Sequence, residues 1–312
     1  MKSARAALAL EARPPYDRDG ACQGFAMRFV KYQGTGNDFV VVQAPEGRPD
    51  WMTDDVVRAV CDRHFGIGAD GILLVERGRA APWFMRVLNA DGSEAEMCGN
   101  GIRCVAKHLC ERMGAAGDEV AIETLAGVKP CRIGWDAAGN VDRVAVGLGA
   151  PILRRADIPM AGDGEVVDVR TSAMGREFTG NGVSMGNPHF VIFEGVSTDE
   201  ADRYGRLLST SPLFPRHANV EFAEALGPDH FRVVVYERGC GLTLACGTGA
   251  GATAVAAVLT RRARAGHPIR LDLPGGPLHL TVEPDLSGVT LEGPATRVFE
   301  GEIPIPVPTA GP

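Results

Sequence analysis

The chain has 312 residues, 45% of them hydrophobic, and a formal net charge of −7. That length and apolar content suffice for two domains with cores of their own and exclude a filament or a disordered protein. An acidic balance without a basic run argues against nucleic acid or an anionic membrane surface, which leaves small molecules as partners. No apolar stretch approaches the roughly 18 residues that a spanning helix needs. The Ala6–Leu10 patch is shorter than most signal segments, so a cytoplasmic protein is expected. Eight cysteines form no C-x-x-C pair and no Cys/His cluster at zinc spacing, so neither a disulfide scaffold nor a metal site is expected.

Residues 1–26 lack periodicity and read as a loosely ordered leader. The first strand pattern begins at Met27 (MRFVKYQG), and GTGNDFVVV is a turn feeding a second strand. Thr53 and Asp54 cap a short helix in TDDVVRAVCDRHFG, which ends at Gly66. The glycine-rich turn FGIGADG then leads into the strand GILLVER. The strand WFMRVLNADG runs into Cys98-Gly99-Asn100-Gly101, which opens the helical run IRCVAKHLCERM closed by Gly114. Cys104 and Cys110 within that run read as small core residues. Strand patterns follow at EVAIETLAG, KPCRIGW and DRVAVGLG, and Ala150-Pro151 with a Pro/Gly/Asp-rich stretch marks the crossing to a second half.

That half repeats the order. Strands are expected around FTGNGVSM and FVIFEG, a helix near TDEADRYGRLL, and strands at ANVEFAEA and FRVVVYE. Cys246 follows in YERGCGLTLACGTG, then an Ala-rich helix, AGATAVAAVLTRRARA, closed on Gly266. The strands IRLDLPG, LHLTVE and GVTLEG and a proline-rich tail complete the chain. The halves echo one another at matched spacing: Asn89 and Glu237 each stand nine residues before a cysteine, Asn37 lies 61 before Cys98, and Asn187 lies 59 before Cys246. Two homologous halves, each presenting one cysteine, are the economical reading. Strands joined by short turns around two main helices predict an antiparallel α+β architecture.

A cysteine at a helix start sits among unpaired amide N–H groups, where a thiolate or a bound carboxylate is favoured. Two such thiols on facing halves suit removal of a proton from one face of a carbon and delivery of one to the other. Such a pair inverts an sp³ centre, with one thiolate and one thiol at a time. His189 and Glu237 are candidate bases that would help to form the thiolate. The substrate would carry a carboxylate, because both helix starts offer N–H donors. None of the four lysines lies in a pyridoxal-binding context and G-T-G-N-D lacks the dinucleotide fingerprint, so a cofactor-free reaction is expected. A lone cysteine ahead of a glycine-rich helix is more often a packed thiol, and a lone Asn at a strand end a turn former. The paired spacing lifts these residues above those readings.

The motifs GTGNDFVVV, DRHFGIGADG, NADGSEAEMCGNGIRC, VSMGNPHFV, ANVEF and YERGCGLTLACGTGA, spread from Met27 to about Gly301, resemble the diaminopimelate epimerase family. The resemblance implies cofactor-independent interconversion of LL- and meso-diaminopimelate in bacterial lysine and cell-wall precursor synthesis, with Cys98 and Cys246 as the acid/base pair. By the same resemblance Gly99, Asn100, Gly247 and Thr248 hold the reacting carboxylate through backbone N–H groups. Asn37, Asn89, Asn187, Asn219, Glu237 and Arg238 contact substrate, and His189 and Glu237 tune the thiols. The implied fold is two similar, mainly antiparallel domains, each wrapped around a central helix: residues 27–148 completed by a returning strand at 292–303, then 149–291, with 304–312 as a tail. A homodimer is the expected assembly. Gly71 stands where some members of the family place a substrate-touching Gln. Two alternatives stay open: another racemase of this fold, proline racemase-like, and a thiol redox protein. Exchange of a substrate α-hydrogen with D₂O separates the last from an epimerase.

Overall fold

The structure, a computed structural model, describes residues 26–304. The expected leader and tail lie outside these residues except for Ala26 and Pro304, which belong to the first and last strands.

The first half runs β1 (Ala26–Gly34), β2 (Asn37–Gln43), α1 (Asp54–Cys61), β3 (Gly71–Arg77), β4 (Trp83–Asn89), β5 (Glu94–Ala95), α2 (Gly99–Arg112), β6 (Glu119–Thr124), β7 (Gly127–Trp135) and β8 (Val141–Gly149). After β9 (Val169–Ala173) the order recurs as β10 (Arg176–Ser184), β11 (Pro188–Ile192), α3 (Thr198–Ser209), β12 (Asn219–Gly227), β13 (His230–Glu237), β14 (Gly241–Thr243), α4 (Gly247–Leu259), β15 (Ile269–Leu273), β16 (Gly276–Val282) and β17 (Val289–Pro294). The chain closes with β18 (Thr296–Pro304).

Pairing repeats with the sequence. β1, β2, β3, β4, β6, β7 and β8 are neighbours in that order, and β10, β11, β12, β13, β15, β16 and β17 copy them ladder for ladder. The last strands of the two series, β8 and β17, pair antiparallel and join the halves. β18 flanks β1, and β9 flanks β10. The sheet is mainly antiparallel, as expected, but β2/β3, β4/β6, β11/β12 and β13/β15 are parallel. The reason is geometric: a helix lies between the members of each pair, and a crossover returns the chain in the same direction where a hairpin reverses it.

Strand alternation assigns each sheet two faces. In the first half Phe39, Val41, Leu73, Val75 and Val87 pack with α2, while Val40, Val42, Ile72, Leu74 and Leu88 pack with α1. In the second half Val191, Ala223, Val233 and Val235 face α4, and Phe190, Ile192, Val220 and Phe222 face α3. Both central helices share one continuous core. Burial on this scale, about 25 cal/mol per Å² of apolar surface, is what holds α4 as a helix despite its glycines.

The helix after Cys246 is shorter than its Ala-rich pattern predicts. It ends at Leu259, not at Gly266, because Arg261 takes a left-handed backbone (φ 57°) and the N–H groups of Arg262 and Ala263 turn back onto Ala257 O. The halves meet closely beside α2 and α4. A Cβ on Gly275 would stand 2.0 Å from Thr35 O, and one on Gly36 3.0 Å from a Leu244 methyl.

Candidate active site

Cys98 is the N-cap of α2 and Cys246 the N-cap of α4. Each sulfur accepts a hydrogen bond from the amide three residues on, Gly101 N at 3.3 Å and Gly249 N at 3.4 Å. The thiols therefore stand where serine or aspartate caps usually do, on orphan donors of the first turn. The two helix starts abut. A Cβ on Gly99 would lie 3.8 Å from Gly247 Cα, and one on Gly247 3.6 Å from Gly99 Cα. Asn100 crosses the junction by donating to Ala245 O at 3.4 Å, and also to Asn37 Oδ1 at 3.3 Å. Thr248 Oγ1 stands 3.5 Å from Cys246 Sγ.

Burial, the dominant influence, pushes both thiols up from their ordinary range. Around Cys98 the amides of Gly101 and Asn100 and the charge of Arg103 pull the other way. Around Cys246 the carboxylates of Glu237 and Glu221 add to the rise, and the Thr248 hydroxyl and Gly249 amide oppose it. The expectation that the helix start and a neighbouring base would ease ionisation is thus corrected: desolvation outweighs the donors, and Glu237 adds to the rise. Glu237 raises both thiols, so it lies within electrostatic reach of both. Its Oε1 accepts from Thr243 Oγ1 at 2.6 Å.

Asn37 turns its nitrogen to Asp70 Oδ2 (2.6 Å) and its oxygen to Cys98 Sγ (3.7 Å). In the other half His189, wholly buried, binds Glu221 Oε1 through Nδ1 at 2.7 Å and Asn187 Oδ1 through Nε2 at 3.0 Å. Asn219 accepts from Arg238 N at 2.8 Å, and the Arg238 guanidinium donates to Arg216 O at 3.1 Å. Asn89 ends β4 opposite Gly71, its nitrogen bound to Ser93 Oγ at 3.0 Å. A Cβ at Gly71 would meet Leu88 O at 2.5 Å, so this backbone leaves no room there for a side chain. Cys104 is a buried core residue, and Cys240 is exposed in the turn after β13.

Beside the two helix starts, Arg103 and Glu221 are buried charged groups that escaped the sequence reading. Arg103, fully buried, donates to Gly99 O (3.0 Å), Thr35 Oγ1 (2.8 Å) and Pro294 O (3.2 Å), and burial pushes it down. Glu221, also fully buried, leaves Oε2 without a partner, and burial pushes its carboxyl up. The clue to the first was an arginine set between Ile102 and Cys104-Val105-Ala106 in the first half of α2. The clue to the second was a glutamate two residues beyond Asn219, on the same strand face.

Solved structures of the same fold include a phenazine biosynthesis protein of the PhzF family from Bacillus anthracis (TM-score 0.66, 17% identity, covering 89% of this chain and 99% of that one). A hydroxyproline epimerase from Agrobacterium vitis is another (TM-score 0.65, 16% identity, 89% and 91%). The two-lobed architecture is therefore that of the epimerase and PhzF class of folds. Sequence narrows it: the family model for diaminopimelate epimerase matches residues 29–153 and 182–298, and the chain belongs to that family. Diaminopimelate epimerases from Moorella thermoacetica (45% identity, 89% of this chain and 100% of the relative) and Desulforudis audaxviator (46%, 88% and 99%) are similar throughout.

Proposed function

We propose that the protein is an isomerase that interconverts LL- and meso-diaminopimelate, with Cys98 and Cys246 exchanging the roles of base and acid. The observation that supports this most is the juxtaposition of two cysteine-capped helix starts at Gly99 and Gly247. A substrate α-carboxylate at that junction takes N–H donors from Gly99, Asn100, Gly247 and Thr248, which places the α-carbon between the thiols. The thiolate on one face takes the α-proton, the amides stabilise the charge that develops on the carboxylate, and the thiol on the other face returns a proton. His189 and Glu237 tune this exchange, and Asn37, Asn89, Asn187, Asn219, Glu237 and Arg238 hold the remainder of the substrate. No cofactor takes part.

Incubation in D₂O with diaminopimelate, proline and alanine tests the reading: exchange of the α-hydrogen with inversion is expected on diaminopimelate alone. Exchange on proline at an equal rate would favour a proline racemase-like enzyme. With both thiols raised by burial, the base form is lost as pH falls, so kcat/KM should climb with pH through and beyond the ordinary thiol range of about 8.5. A profile flat from neutral to alkaline pH would remove the thiolate from the mechanism.

Further parts of the proposal concern organisation. The β18/β1 ladder supports a first domain of 27–148 completed by 292–303, with 149–291 as the second. A homodimer is supported by Val298 and Phe299, 55% and 46% exposed on β18, and sedimentation equilibrium checks it. A cytoplasmic site of action fits an enzyme of amino-acid biosynthesis.

A further inference from the structure

Among the described residues three lysine or arginine side chains lie buried: Lys31, Lys107 and Arg103. Carboxylates answer two of them, Asp38 at 2.5 Å from Lys31 and Glu111 at 2.8 Å from Lys107. Arg103, the most deeply buried of the three, has no such partner. Its acceptors, Gly99 O, Thr35 Oγ1 and Pro294 O, are neutral, and the groups whose ionisation would favour its charge are the thiols of Cys104 and Cys98. A buried guanidinium stays protonated, so a desolvated positive charge stands here without a counter-ion. Cys104 is poorly suited to supply one, because burial pushes its thiol up to about 12. Cys98 remains.

The surroundings are shaped for this side chain. Glycines stand where the guanidinium needs room: a Cβ on Gly293 would lie 3.2 Å from its Nε, and one on Gly34 3.2 Å from its Nη2. The side chain turns back along α2, where Nη1 donates to the carbonyl of Gly99, the residue that follows Cys98. The fifth residue of the other central helix is Gly251, and a Cβ there would meet Leu148 at 2.8 Å, so no cation fits behind Cys246. The ionisable neighbours of that thiol are Glu237 and Glu221. Around Cys98 they are Arg103 from α2 and Glu237 from the end of β13, acting in opposite senses. From β2 comes the neutral Asn37, and Asp70 behind it is paired with Arg63 at 2.7 Å.

We propose that Arg103 is a positioning residue for the reaction, its buried charge serving as the built-in counter-ion of the Cys98 thiolate. This rests on the reading of Cys98 as an acid/base group and adds to it the residue that makes two similarly capped thiols unlike: a cation backs one helix start and a glycine the other. A close opposite charge favours the ionised form of a group by about 1 to 3 pH units, so Arg103 offsets part of the desolvation of Cys98, a relief that Cys246 lacks.

The test is the pH dependence of alkylation by iodoacetamide in the free enzyme, followed cysteine by cysteine through peptide mass spectrometry. Exposure sets how fast a thiol reacts, but the midpoint of the profile reads its ionisation. Two variants separate charge from hydrogen bonding: Arg103→Gln keeps donors for the neutral acceptors and loses the charge, and Arg103→Lys keeps the charge and loses the planar fork. Arg103→Gln is expected to raise the Cys98 midpoint by about one pH unit or more while leaving that of Cys246 nearly unmoved, and Arg103→Lys to retain most of the wild-type value. A merely structural role would lower the melting temperature in both variants without moving one thiol selectively. An unchanged Cys98 midpoint in Arg103→Gln, an equal rise in Arg103→Lys, or an equal rise at Cys246 overturns the proposal. Should Arg103→Gln fail to fold, the wild-type enzyme decides: Cys98 is expected to titrate below Cys246, and the reverse order overturns the assignment. Alkylation needs no substrate, so the outcome stands even if diaminopimelate proves not to be turned over.

Discussion

Cys98→Ala and Cys246→Ala should each lower epimerisation by about a thousandfold or more, because each thiol supplies one whole face of the proton transfer. The fold should survive. Each cysteine caps a helix through a single sulfur contact, so its loss costs about 1 kcal/mol, a modest part of the stability of a domain this size. The informative readout is exchange as distinct from inversion. The remaining thiolate can still take a proton from its own face and give back deuterium there, so each variant should retain slow exchange with retention on one stereoisomer and little on the other. The two variants should favour opposite stereoisomers. Near wild-type inversion by either variant, followed by polarimetry or chiral chromatography, would sink the two-thiol mechanism.

Arg238→Lys should reduce kcat/KM on diaminopimelate about a hundredfold without creating activity on alanine or proline. Arg238 is exposed, and its backbone and guanidinium are oriented by Asn219 Oδ1 and Arg216 O. A planar fork held in this way offers two parallel bonds to a carboxylate. Lysine offers one point charge, and a lost charge-assisted bond is worth about 1.5 to 3 kcal/mol. Because the side chain supports no core contact, the melting temperature should stay within a few degrees. A variant that keeps wild-type kcat/KM would place distal recognition elsewhere.

Much of this was legible in the chain because repetition made it so. The Cys-Gly starts at residues 98 and 246, the strands before them and the helices after them stand out by spacing alone, and the repeat carries directly into matched ladders. What escaped was decided by tertiary context. The helix from Gly247 is shorter than its composition, which favours helix through Ala265, predicts, because one left-handed residue, Arg261, ends it. β9 is five residues long in a Pro/Gly/Asp-rich stretch, too short for its pattern to register. The parallel ladders were hidden because periodicity says which face of a strand is buried, not which strand lies beside it. Glu221 and Arg103 carry no local signature; only burial reveals that two surface-type residues support the helix starts. The raised thiols belong to the same lesson, since the donors are written in the sequence and the desolvation that outweighs them is not.

The placing of β9 and β18 means more than two extra strands. β9 follows the first repeat in the chain but pairs with β10 of the second; β18 follows the second repeat but pairs with β1 of the first. Each repeat lends its final strand to the other, so the arrangement is a reciprocal strand swap held within one polypeptide. Residues 26–173 on their own would leave the flank of β1 open while carrying a strand made for someone else's flank. Two copies of such a fragment could satisfy each other by exchanging that strand. In the fused chain each repeat completes the edge of the other's sheet, and a single melting transition is the outcome expected of that mutual dependence.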